Sequence, residues 1–110
     1  MNKYKFQYYF SSGIGGGVNG IVEVELKDEY VKQLEALIAA GKRTLQYSTD
    51  IRGLYGKVIE KIAIHEMQGY DPDYLRSFAE DDDDDTETCM EYYLEACNID
   101  IFMPGVEWDS

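Results

Sequence analysis

At 110 residues, 45% of them hydrophobic and 14% aromatic, the chain is long enough to bury well over half of its unfolded surface, and one domain, 1–110, is expected. Its formal charge of −12 argues against direct binding to nucleic acid or to an anionic membrane surface, because both require cations to neutralise phosphate. No apolar run approaches the ~18 residues of a membrane span, and residues 1–10 lack the aliphatic stretch and cleavage site of a signal peptide, so a cytoplasmic location is expected.

The charge is unevenly spread. Residues 1–68 hold nine Lys/Arg and eight Asp/Glu, a balance of +1, whereas residues 69–110 hold only Arg76 against fourteen acids, a balance of −13. Cys89 and Cys97 are the only cysteines, which suits a reduced compartment better than a disulfide scaffold.

In chain order, residues 4–10 alternate with Tyr4, Phe6, Tyr8 and Phe10 on one face, and residues 21–27 with Val22, Val24 and Leu26. Period two in aromatic and β-branched residues predicts two half-buried strands of a hairpin. A register with an even residue sum puts these side chains on one face and sets Lys3 and Lys5 across from Glu23 and Glu25 on the other. An isolated hairpin is marginal in water, so a later element must cover the aromatic face. Between the strands, residues 11–20 read SSGIGGGVNG. Gly15, Gly17 and Gly20 match a dinucleotide fingerprint as a string, but that motif needs a helix to follow and here a strand does. The kinase-type glycine loop, extended by Val22, sits in a hairpin, yet no VAIK-like, HRD or DFG motif follows. A flexible connector is expected.

Asp28 reads as an N-cap, followed by Tyr30, Val31, Leu34, Leu37 and Ile38 at helical spacing, with Gly41 closing the helix. A connector runs through Tyr47. Ser48, Thr49 or Asp50 can then cap the longest helix, reaching about Gln68, with Ile51, Leu54, Tyr55, Val58, Ile59, Ile62 and Ala63 on one face. This helix is expected to cover the hairpin, and its Gly53 and Gly56 either permit close approach to the sheet or mark fraying. After Gly69, Asp71-Pro72 opens a short helix with Leu75 and Phe78 inward. Residues 80–85 are six consecutive acids. Residues 86–97 fit both periods: Met90, Tyr93, Leu94 and Cys97 a helix with Glu87, Glu91 and Glu95 as an outer stripe, or Thr88, Met90, Tyr92, Leu94 and Ala96 a strand. Length favours the helix. Ile99, Ile101 and Met103 then alternate before Pro104-Gly105 as a further strand, and Trp108 is either docked or exposed.

Little points to chemistry. His65 is the only histidine, and position 69 is Gly, so His65-Glu66 cannot open an HExxH zinc motif. Asp81, Asp83 and Asp85 occupy positions 1, 3 and 5 of an EF-hand loop, but Thr86 and Tyr92 stand where its Gly and Glu belong. No catalytic residue, metal site or cofactor is nominated. Of the ten tyrosines, Tyr4, Tyr8 and Tyr55 read as core, and Tyr9, Tyr70, Tyr74, Tyr92 and Tyr93 as partly exposed around the acidic half.

The expected fold is therefore α+β: a small antiparallel sheet, made of the N-terminal hairpin and a C-terminal strand, with three to four helices on one face. The expected function is a non-enzymatic acidic binding protein or inhibitor occupying a basic protein surface, such as that of a nucleic-acid enzyme. Toxin-immunity proteins, DNA mimics and phage anti-defence proteins, including anti-CRISPR proteins, work this way, and the analogy is one of charge and size rather than motif. The expected partner-binding residues are Glu80, Asp81, Asp82, Asp83, Asp84, Asp85, Glu87, Glu91 and Glu95, with Tyr74 and Tyr92, since rings and carboxylates both accept cations. The alternatives are a structural or homo-oligomeric subunit and a small enzyme using carboxylates.

Overall fold

Residues 2–26 fold as their alternation dictates. In the computed structural model, which describes residues 2–12, 15–46 and 52–105, β1 (Asn2–Ser11) and β2 (Gly17–Leu26) pair antiparallel, with Lys3 opposite Glu25, Lys5 opposite Glu23 and Phe6 opposite Val22. Phe6, Tyr8, Phe10, Val22, Val24 and Leu26 are all buried on one face, and each such side chain contributes roughly 1.5–3 kcal/mol. On the other face the Lys3 ammonium reaches diagonally to Glu23 at 3.9 Å, an exposed pair of about 0–1 kcal/mol.

The glycine-rich stretch is shorter as a loop than its composition suggests. Gly17 already pairs with Ser11 and Gly20 with Tyr8, leaving residues 12–16 as the connection. There the Ser12 amide donates to the Gly16 carbonyl at 3.0 Å, and Gly15 and Gly16 take φ of 119° and 78°.

Helix α1 (Asp28–Ala39) begins one residue earlier than expected. Lys27 is the N-cap and makes no side-chain cap; Asp28 is the first helical residue, and its carboxylate accepts from Asn2 Nδ2 at 3.3 Å. The helix ends as expected, at Gly41 with φ 79°, where the Lys42 amide donates to Leu37 O at 3.1 Å and the Gly41 amide to Ile38 O at 3.0 Å. Leu34 is its one fully buried side chain, and Ile38, assigned to the same face, is exposed.

The connector expected through Tyr47 contains a further strand, β3 (Thr44–Leu45). It pairs antiparallel with β4 (Asp100–Phe102), which in turn pairs with β1. The described residues thus form a four-stranded antiparallel sheet in the order β2-β1-β4-β3, with four α-helices, an α+β arrangement. Leu45, Ile101 and Met103 join the buried face.

Helix α2 (Arg52–Glu66) continues as a 3₁₀ turn, Met67–Gly69. Leu54, Tyr55, Val58, Ile59, Ile62 and Ala63 are all buried, in one cluster with the hairpin's aromatic face. A Cβ on Gly53 would lie 2.8 Å from the Tyr30 ring, so its close approach is to α1 rather than to the sheet, and Gly56 meets nothing. The proposed caps Ser48, Thr49 and Asp50, with Ile51 and Trp108, lie outside the described residues.

A candidate acidic docking surface

Two aspartates build the acidic half by holding helix ends. Asp71 caps α3 (Pro72–Arg76), its carboxylate accepting from the Asp73 amide at 3.0 Å with Pro72 in the first turn. Asp85 caps α4 (Thr86–Ala96), accepting from the Thr88 amide at 2.8 Å. That cap decides between helix and strand for residues 86–96, together with Asn98 at φ 54° after the last turn, whose amide donates to Glu95 O at 3.1 Å.

Between the two helices the acid run is an ordered turn rather than a loose solvated loop. The Asp84 carboxylate accepts from the amides of Glu80 and Asp81, both at 3.0 Å. The Arg76 guanidinium donates to the carbonyls of Asp82 at 3.1 Å and Asp84 at 3.3 Å. The only cation of residues 69–110 is thus engaged with backbone carbonyls, and among the described residues no carboxylate of the run has a salt bridge.

Helix α4 carries Cys89, Met90, Tyr93 and Leu94 into the core. Tyr93, expected to be partly exposed, is buried and collects the rings of Phe10, Tyr70, Tyr74 and Phe78 at centroid distances of 5.0–6.3 Å. Tyr74 is partly exposed, as expected, and its ring also packs on Tyr93 and Phe78 at the edge of this cluster. Helical spacing did place Tyr93 inward; its acidic surroundings pointed the other way and misled.

In the stripe Glu87, Glu91 and Glu95, the first two are less solvated than an outer stripe should be, while Glu95 is exposed. Glu91 is half-buried, and its carboxyl is pushed up to about 7 by burial and then by Glu87, Glu60, Glu95 and Asp85. Glu87 is raised by burial, Glu60 and Asp85, with Lys61 opposing. Glu95 is raised by burial and by Glu80. The Tyr92 hydroxyl is raised by desolvation and then by Asp84, Glu80, Glu91 and Glu95, which places it at the joint between the acid turn and the stripe. Glu80, Asp84, Asp85, Glu87, Glu91, Glu95 and Tyr92 are thus one electrostatic neighbourhood, while Asp81, Asp82 and Asp83 stand exposed on the turn.

Two contributors were missed in the sequence. Glu60 on α2 joins the stripe only through helix packing, and nothing local in its sequence signals it. Tyr55 is core, as expected, but it also lines a cleft of about 630 Å³ beside Tyr92, Glu95 and Asp100, and its hydroxyl is raised to about 12 by burial, Glu95 and Glu91. His65 is exposed, and Cys89 and Cys97 are free thiols. Among the described residues no three His, Cys, Asp or Glu side chains converge to hold a metal ion, and no helix is long and apolar enough to cross a membrane. Comparison with known protein families, characterised proteins and solved structures returns no match.

Proposed function

We propose that this chain is a non-enzymatic acidic binding protein that occupies a basic surface of a partner, of the kind a nucleic-acid enzyme presents. The observation that carries this reading is the carboxylate band, whose members make no salt bridge among the described residues. The acid turn and the α4 stripe adjoin through Glu80, Asp84 and Tyr92, and Arg76 donates to the turn's backbone carbonyls rather than to its carboxylates. Crowded carboxylates repel one another, and a cationic partner relieves that repulsion while also being steered to it. Stripe charges about 6 Å apart along the helix are too sparse to imitate a duplex, which presents one phosphate per roughly 1.7 Å of axis. The acid turn beside them supplies the missing density.

The test is capture of basic proteins on the immobilised chain at low salt, repeated with an Asp81→Asn/Asp82→Asn/Asp83→Asn/Glu87→Gln variant. A captured partner should associate more slowly with the variant and lose much of its salt dependence. Equal association rates across about 50–500 mM salt would leave the band as solvation only.

A further inference from the structure

The cleft of about 630 Å³ between the β3–β4 end of the sheet and the last turn of α4 has described charged residues of one sign only. Its floor is apolar, with Leu45 and Ile101 buried. Its walls carry Tyr55, Tyr92, Glu95 and Asp100, and among the described residues no Lys, Arg or His lines it. A second cleft, between the β2–α1 junction and α2, is lined by Lys27, Lys57 and Lys61 against Glu25, Asp28 and Glu60, so its charges balance. Only the first cleft selects a charge sign.

We propose that this cleft receives an arginine side chain on a peptide segment of the partner, which deepens the docking reading above and rests on it. A planar guanidinium both stacks on a tyrosine ring and donates two parallel hydrogen bonds to a carboxylate, so a site pairing Tyr92 with Glu95 and Asp100 suits arginine better than lysine. The alkyl stem lies against Ile99, the apolar lining residue that is still partly exposed above buried Leu45 and Ile101. The volume falls within the range of about 300–1,000 Å³ that ordinary ligand sites occupy, room for flanking backbone as well as one side chain. Tyr92 is half-buried, so part of its ring stays open to the guest. The acidic band outside attracts; the cleft discriminates.

The test uses the full chain at about 0.15 M salt, titrated with acetyl-Gly-Arg-Gly-amide, its citrulline and lysine counterparts, and spermidine, and followed through the Tyr55, Tyr92 and Asp100 resonances. The arginine peptide should shift these resonances saturably, and the neutral citrulline peptide should bind about tenfold more weakly, with lysine between them. Tyr92→Leu and Glu95→Gln should each weaken arginine binding about fivefold or more, whereas Asp81→Asn/Asp82→Asn/Asp83→Asn should change it less than about twofold. The citrulline comparison is made on the unaltered chain, so a variant that unfolds does not remove the test. Equal binding of arginine and citrulline peptides would overturn the proposal, as would unsaturable shifts spread over the acid turn. Preferential saturation by spermidine would assign the cleft to a free polyamine instead. A silent cleft with salt-dependent capture intact sinks this inference alone. A saturable cleft with neutralisation-insensitive capture sinks the band reading instead.

Discussion

The Asp85 carboxylate accepts the Thr88 amide at 2.8 Å, so one member of the acid run is a helix cap. Asp84 has a similar structural part, tying down the amides of Glu80 and Asp81. Six consecutive acids thus divide into residues that hold the turn and residues that only charge it. Asp84→Ala and Asp85→Ala should each lower the thermal midpoint by a few degrees, while neutralising Asp82 and Asp83 to Asn leaves it unchanged or raises it through relieved repulsion. The bond to Thr88 holds the Asp85 carboxyl below its usual range. Its stabilising effect is therefore present above the ordinary value of 3.8 and lost as pH falls through the depressed folded value. Thermal melts of wild type and Asp85→Ala should then converge at strongly acidic pH, and parallel curves down to pH 2 would exclude the cap as the source.

Glu91 has the opposite sign. Its folded value is raised from 4.5 to about 7, so between those values the folded state keeps a proton that the unfolded chain has released. Stability from this group therefore falls as pH rises through that window, and the full penalty is present above it. Glu87, Glu60, Glu95 and Asp85 all push the same way, and Lys61 counters only at Glu87. Glu91→Gln should raise stability at pH 8 by roughly 1–2 kcal/mol, after allowance for solvent screening of a half-exposed group, and should leave it nearly unchanged at pH 4. Urea midpoints at the two pH values decide it; an unchanged pH slope in the variant would show that the carboxylates are too well solvated to interact.

The buried interface of hairpin and α2 gives the largest expected effects. Phe6 and Ile59 are 0% and 2% exposed and belong to one cluster, so Phe6→Ala and Ile59→Ala should each cost roughly 2–5 kcal/mol. Tyr93→Ala, which removes the ring at the centre of the aromatic cluster, should cost roughly 3–5 kcal/mol. Denaturation curves for all three that overlay the wild type would mean that these faces are not the core.

What the sequence made legible was whatever repeats or punctuates locally. The hairpin register followed from alternation, α2 from seven apolar positions at helical spacing, α3 from Asp71-Pro72, and α4 from apolar spacing and length. Strand β3 escaped because two residues cannot display a period; Thr44 and Leu45 are a strand only because Phe102 and Ile101 lie beside them. The Glu87, Glu91 and Glu95 alignment was legible, but not its partial burial, since periodicity says which residues share a face and not what covers that face. Glu60 and the cleft are tertiary for the same reason. Tyr93 was read as partly exposed from its acidic neighbours in sequence, whereas its neighbours in space are Phe10, Tyr70, Tyr74 and Phe78.

Tyr8 and Gly20 face each other across the hairpin, and the ring lies over the glycine. A Cβ at Gly20 would come within 2.5 Å of the phenol oxygen and 2.8 Å of the ring carbon that bears it. Tyr8 is fully buried, so its ring has nowhere to retreat without displacing core neighbours. Gly20→Ala should therefore cost roughly 1–3 kcal/mol by overpacking. The hydroxyl itself makes no hydrogen bond of acceptable geometry within the described residues, although burial and the facing Glu66 carboxylate push its pKa well above that of an ordinary tyrosine. A buried hydroxyl without a partner costs stability, so Tyr8→Phe, which keeps the ring and removes the oxygen, should leave stability unchanged or raise it by up to about 1 kcal/mol. Urea unfolding at neutral pH separates the two effects. A loss on Tyr8→Phe as large as that on Gly20→Ala would mean that the hydroxyl is bonded in solution, to Glu66 or through a water. The pair would then be held by a polar contact rather than by packing.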